Sequence, residues 1–249
     1  MLRDYITVHA DVIRNYQQPP INWAYNQNGS LKTNIQYAKN CGALYGIKSY
    51  EPMSRDNVTN YFTQDMYTGF IATMLWGNKN RGFHKVVNIP KKEVVHSLNK
   101  VLSILEKGNI WEAFRSMCRD EEYHLEQIDY AFFTKLLYFM SKAFPTYNAF
   151  RPLILDSHMI VAHCALLLDE YQNGHYLYKW RDKYGLVWYK ASSICAADVY
   201  MDYVERMHNI ATSINTESEN LEAFLFATQP GNQQSFIYQD VYNHRNLLH

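Results

Sequence analysis

Apolar residues recur at intervals of three and four through most of this chain, and almost nowhere at every second position. That spacing gathers them on one face of an α-helix, so it predicts a bundle of amphipathic helices rather than a sheet. With 249 residues, 47% of them apolar, the chain can bury a sizeable core. Asp56 is placed to cap a helix running to Trp76, with a stripe of Val58, Phe62, Phe70, Met74 and Leu75 and with Gly77 as its stop. Pro90 suits the first turn of a helix carrying Val94, Val95, Leu98, Val101, Leu102 and Leu105, which ends at Gly108. Asn109 and Glu112 have the spacing of a capping box for a short helix through Cys118. Glu121 to Asp129 reads as a short helix plus turn. Ala131 to Phe144 reads as a helix with Phe132, Phe133, Leu136, Leu137, Met140, Ala143 and Phe144 on one side.

Further along, Asp156 caps a helix to about Glu170, and Tyr171 to Gly185 is a polar, aromatic connection. A long helix is expected from about Tyr189 to Ile214, and Thr216 with Glu219 caps a last one through Thr228. Residues 1–55 are polar and rich in Tyr and Asn, with Pro19-Pro20 and Asn28-Gly29 as turn signals. They read as a lead-in or small subdomain, leaving residues 56–249 as the helical domain. The expected class is all-α with an irregular N-terminal part.

No stretch approaches the roughly 20 apolar residues that span a bilayer, and the start Met1-Leu2-Arg3-Asp4-Tyr5 does not read as a signal peptide. Cys41, Cys118, Cys164 and Cys195 lie in different segments with no Cys-x-x-Cys, so no metal site is expected. They read as reduced, mostly buried thiols of an intracellular, cytoplasmic protein. Lys and Arg total 24, as do Asp and Glu, which excludes binding nucleic acid by bulk charge alone. The zero is a cancellation. Lys79, Arg81, Lys85, Lys91, Lys92, Lys100 and Lys107 oppose Glu93 and Glu106 for a local +5, while Glu205 to the end sums to −3. The basic segment is either a solvated helix face or a grip on several phosphates.

Lys135 falls on the side of its helix opposite the apolar stripe, with Thr134, Tyr138, Ser141 and Lys142. It is an ordinary exposed helix lysine or, near a helix N-terminus where the macrodipole opposes added positive charge, a nucleophile able to form a Schiff base. Asp156 is a plain N-cap or a fixed carboxylate facing a developing cation.

These two segments together resemble the helix-hairpin-helix DNA glycosylases, and among them the 8-oxoguanine DNA glycosylase branch. The pieces that carry the resemblance are Ile128-Asp129-Tyr130-Ala131-Phe132-Phe133-Thr134-Lys135-Leu136-Leu137-Tyr138-Phe139 and Pro152-Leu153-Ile154-Leu155-Asp156-Ser157-His158-Met159. Phe70 to Arg81 is similar to the family's helix and Asn-rich, Arg-bearing loop, and Met201 to Ala211 to its C-terminal helix. The resemblance implies two helical lobes flanking a cleft, with the hairpin near residues 121–144. It also implies a double-stranded DNA partner with a damaged or modified base, no cofactor, and a monomer. The family flips that base out of the duplex and breaks its glycosidic bond. Lys135 would be the nucleophile at C1′, with β-elimination able to follow, and Asp156 would stabilise the transition state. His158 would touch a phosphate, and Asn78, Asn80 and Arg81 would fill the hole left by the base. Tyr138, Tyr200 and Tyr203 would line the base pocket. The hairpin departs from the family pattern, because Ala131 and Phe133 stand where two glycines let backbone amides approach a phosphate.

The substrate is left open between an oxidised purine in base-excision repair and a modified base of phage DNA in defence. A non-catalytic DNA-binding module and an all-α adaptor are the alternatives from other classes.

Overall fold

The computed structural model describes residues 2–44, 46–47, 49–77, 83–144, 150–169, 178–181, 187–190, 193–228 and 236–243. Among them are thirteen helices and one two-stranded antiparallel hairpin. The fold is all-helical in class, as a helix-hairpin-helix glycosylase requires. Contacts divide the chain into two compact units. One is continuous, Pro19–Pro152; the other joins Met1–Gln18 to Leu153–His249.

The continuous unit holds α3 (Thr33–Asn40), α4 (Arg55–Gln64), α5 (Met66–Trp76), α6 (Phe83–Val86), α7 (Lys91–Glu106), α8 (Ile110–Ser116) and α9 (Tyr130–Ala143). α5 is its axis. Every residue from Gly69 to Trp76 is buried, and α4, α7 and α9 pack around it. A helix enclosed this completely has no polar face to keep wet, and the hydroxyl of its buried Thr73 is satisfied by Gly69 O at 2.8 Å. Gly69 lies so close under the Phe62 ring that a Cβ would collide with it, which sets how tightly α4 and α5 cross.

The single helix expected from Asp56 to Trp76 is two. Asp65 has extended backbone (φ −160°, ψ 130°) and ends α4 while capping α5. Its carboxylate accepts from the Thr68 amide at 2.9 Å and from the Thr68 hydroxyl at 3.1 Å. A local side-chain acceptor of this kind competes with helix continuation, and an apolar period that runs on through the break does not reveal it. α4 itself starts two residues earlier than expected. Ser54 is the cap, in a reciprocal box with Asn57, and Asp56 is free to pair with Lys142 at 3.3 Å. Asn109 caps α8 as expected, accepting from the Glu112 amide at 3.0 Å. The short helix expected at Glu121–Asp129 is instead a run of turns, with Asp120 and Gln127 in the left-handed region at φ 69° and 67°.

The discontinuous unit holds α1 (Leu2–Val8), α2 (Ala10–Arg14), α10 (Ser157–Asp169), β1 (Tyr178–Arg181), β2 (Val187–Lys190), α11 (Ser193–Ser213), α12 (Ser218–Ala227) and α13 (Phe236–Asn243). The N-terminal residues are therefore partly helical, with Leu2, Ile6 and Ile13 buried. α1 packs on α10 and α2 on α12. The Arg3 amide donates to Asp169 at 2.7 Å and Asn220 donates to Arg14 O at 3.0 Å. β1 pairs with β2 so that Lys179 lies opposite Tyr189. Tyr189 is thus in a strand, and the long helix begins at Ser193 rather than near Tyr189. Thr216 does not cap α12. Glu217 takes that position, and the Thr216 hydroxyl is buried with no hydrogen-bond partner. α13, which the sequence did not announce, packs on α10.

Candidate active site

The helix that carries Lys135 begins at Tyr130, and both residues at the family's glycine positions lie inside it. The amides of Phe132 and Phe133 each donate to Asp129 O at 2.9 Å. These amides are used by the helix, and the Phe133 ring packs edge-on against Phe114 with centroids 4.9 Å apart. A hairpin built on glycine offers its amides to a phosphate; here the same positions contribute a helical turn and a core ring.

Lys135 sits on the second turn of α9. Contrary to the expectation of an exposed face, it is only 6% exposed, and Thr134, Tyr138 and Ser141 are buried with it. α9 packs against α4, α5, α7 and α8, and the polar side of its sequence is buried rather than left to water. The Lys135 ammonium donates to Ala131 O one turn back at 2.8 Å and lies 5.4 Å from the centre of the Phe132 ring. Beyond it on the same face, the Arg55 guanidinium stands 5.0 Å from the Tyr138 ring and 5.6 Å from the Trp76 ring. Lys142 is 5.8 Å from Tyr138. Tyr138 is fully buried, edge-on to Phe139. The sequence singled out Tyr138 but not Arg55, whose only local signal is a basic residue directly after a capping serine.

Asp156 belongs to the discontinuous unit. It ends an extended, buried segment, Leu153 to Leu155, and starts α10. Its Oδ1 accepts from the amides of His158 at 3.0 Å and Met159 at 3.2 Å, which fixes the carboxylate at the positive end of the helix. An extended segment with no strand beside it needs acceptors satisfied some other way. The Tyr200 hydroxyl donates to Leu153 O and the Tyr203 hydroxyl to Ile154 O, both at 2.8 Å and both rings fully buried. Burial pushes the Tyr200 phenol far up, with Glu222 adding to it and the Leu153 bond opposing, so it stays a donor. The His158 ring packs on Phe226 at 5.0 Å. Two turns along α10, His163 is buried with its Nε2 3.0 Å from Asp202, which Arg206 holds at 2.8 Å. That brace ties α10 to α11 and was not singled out by the sequence.

The expected residues therefore fall into two groups. Lys135 and Tyr138 come together in the continuous unit; Asp156, His158, Tyr200 and Tyr203 come together in the other. Asn78, Asn80 and Arg81 lie outside the described residues.

Residues 32–226 match the model of a family described as "Putative 8-oxoguanine DNA glycosylase OGG-like protein". The chain belongs to that family. No curated protein and no solved structure matches it. The OGG-like span runs from the residue before α3 to the last turn of α12, and takes in both groups of candidate residues. α1, α2 and α13 lie outside it, and two of them, α1 and α13, pack on the helix that Asp156 caps. Membership in an OGG-like DNA glycosylase family makes DNA the implied partner. Among the described residues no helix is long and apolar enough to cross a membrane, and no group of His, Cys, Asp and Glu could hold a metal. Cys118 and Cys164 are buried free thiols and Cys41 is exposed.

Proposed function

We propose that this OGG-like protein is a base-excision glycosylase that removes an oxidised purine such as 8-oxoguanine from duplex DNA, with Lys135 as nucleophile. The observation that carries the proposal is Lys135 itself. It stands where the family's nucleophile is expected, and its amine is drawn into an apolar, aromatic corner with a carbonyl partner. An amine kept from water there needs little reorganisation before it acts.

In the proposed reaction the neutral Lys135 Nζ forms a bond to C1′ while the C1′–N9 bond breaks. The bonding pair leaves with the base, which takes up a proton. Asp156 stabilises the positive charge that develops on the sugar and helps to activate the lysine. Nζ then loses a proton, and O4′ takes one up as it departs from C1′, leaving a protonated Schiff base. Loss of a C2′ proton from that species expels the 3′ phosphate and nicks the strand. His158, Asn78, Asn80 and Arg81 are proposed to contact the DNA around the extruded base.

Borohydride reduction during turnover tests this directly on duplexes carrying 8-oxoguanine, undamaged guanine or a bulky modified base of the phage kind. A covalent adduct with the 8-oxoguanine duplex is expected, with Lys135→Ala giving neither adduct nor base release. Base release that survives in Lys135→Ala would overturn the nucleophile. Action confined to the phage-type base would overturn the oxidised purine.

A further inference from the structure

We propose that Gly77 is a positioning residue for Lys135, and that its missing side chain is the space in which the lysine stem lies. The proposal rests on the reading of Lys135 as nucleophile. Gly77 closes α5, its amide donating to Thr73 O at 2.9 Å. Its backbone is at φ −72°, ψ 1°, a conformation open to any residue. The glycine is therefore not required by the turn. What a side chain would meet is more specific. A Cβ at this position would stand 2.9 Å from Cε1 of Phe132, 3.1 Å from Cδ of Lys135 and 3.2 Å from Thr73 O. Two of these three atoms belong to the lysine and to the ring over which its ammonium sits.

The end of α5, the Phe132 ring and the lysine stem thus form one packed layer, with the Ala131 carbonyl holding the amine at its far side. A methyl group at position 77 has no room unless the ring or the stem moves. The ring atom, at 2.9 Å, must give way, and the lysine stem, itself 3.1 Å from the new methyl and with its ammonium over that ring, is displaced with it. The stem gives by a few tenths of an ångström, a fraction of the one-ångström error that costs on the order of a hundred-fold in rate, while the proposed phosphate contacts involve other residues.

Gly77→Ala in the full-length chain separates positioning from folding. Single-turnover base release at saturating DNA should fall on the order of ten-fold or more, with the DNA dissociation constant unchanged. Gly77→Ala/Phe132→Leu, which removes the colliding ring atom, should regain most of the rate. Thermal melting of Gly77→Ala, Lys135→Ala and the double variant forms a cycle that does not depend on activity. If the new methyl presses on the lysine stem, Gly77→Ala lowers Tm less in the Lys135→Ala background than in wild type. A wild-type rate in Gly77→Ala overturns the proposal, as does a rate loss that the second substitution fails to recover. Equal Tm losses in both backgrounds also overturn it. Base release persisting in Lys135→Ala would instead sink the nucleophile assignment, and the melting cycle would still report the packing.

Discussion

An ammonium group withdrawn from water is tolerable only if its protons find acceptors. Lys135 meets that condition with its own helix, through the carbonyl one turn back, and with the face of a neighbouring phenylalanine. The arrangement keeps the proposed nucleophile ordered. Tyr200 and Tyr203 present the complementary case. Expected as pocket residues, they have both hydroxyls committed to the segment that delivers Asp156, and a buried ring so engaged is suited to holding a backbone in place. Removing one hydroxyl leaves a carbonyl unsatisfied, at a cost of about 1–3 kcal/mol. Tyr203→Phe should accordingly lower the unfolding free energy by roughly that amount and slow base release, as chemical denaturation and single-turnover assays would show. Unchanged stability would mean that Ile154 O finds another donor. At this scale the sequence misjudged the surroundings of the residues it singled out. A lysine opposite an apolar stripe looks solvated when only one helix is considered; here neighbouring helices cover that face as well.

Among the elements, the junction at Asp65 is where charge and architecture meet. Burial pushes the carboxyl up, but the Thr68 amide, the Thr68 hydroxyl and Lys91 together outweigh it and hold it below its usual range. A carboxyl depressed in the folded state contributes stability above its unfolded pKa of about 3.9 and loses it as pH falls through the folded value. Asp65→Asn keeps a capping oxygen and removes the titration. Wild type should therefore melt higher than Asp65→Asn at neutral pH, and the difference should close as pH drops below about 3.9. A gap that stays constant down to pH 2 would show that the charge has no part in the junction. The elements best foreseen were α7, α8, α9 and α10, whose bounds fall within two residues of the expectation. Those missed were of two kinds. The break between α4 and α5 depends on one side chain overriding a continuous period. The helices α1, α2 and α13 are short and gain their stability from packing on α10 and α12, which local sequence does not express.

For the whole molecule, neutral net charge is compatible with a DNA enzyme because the cations are concentrated. Lys85, Lys91, Lys92, Lys100 and Lys107 are exposed along α6, α7 and the residue that ends α7. If this face meets phosphates, each contact adds about 0.9 to the slope of log affinity against log salt. Replacing Lys92 and Lys100 by Gln should then reduce that slope by about 2 without altering the rate of base release at saturation. A slope identical to wild type would remove α7 from the interface. The division into units carries a different consequence, for the order of assembly. The unit bearing Lys135 is one uninterrupted stretch, so all the chain it is built from is present once residue 152 has been synthesised. The unit bearing Asp156 begins with α1 and α2 but cannot close until α10 to α13 exist, more than a hundred residues later. During that interval Leu2, Ile6 and Ile13 have no lasting place to be buried. The nascent chain thus carries apolar α1 and α2 ahead of their partners, and the two proposed halves of the chemistry mature at different times.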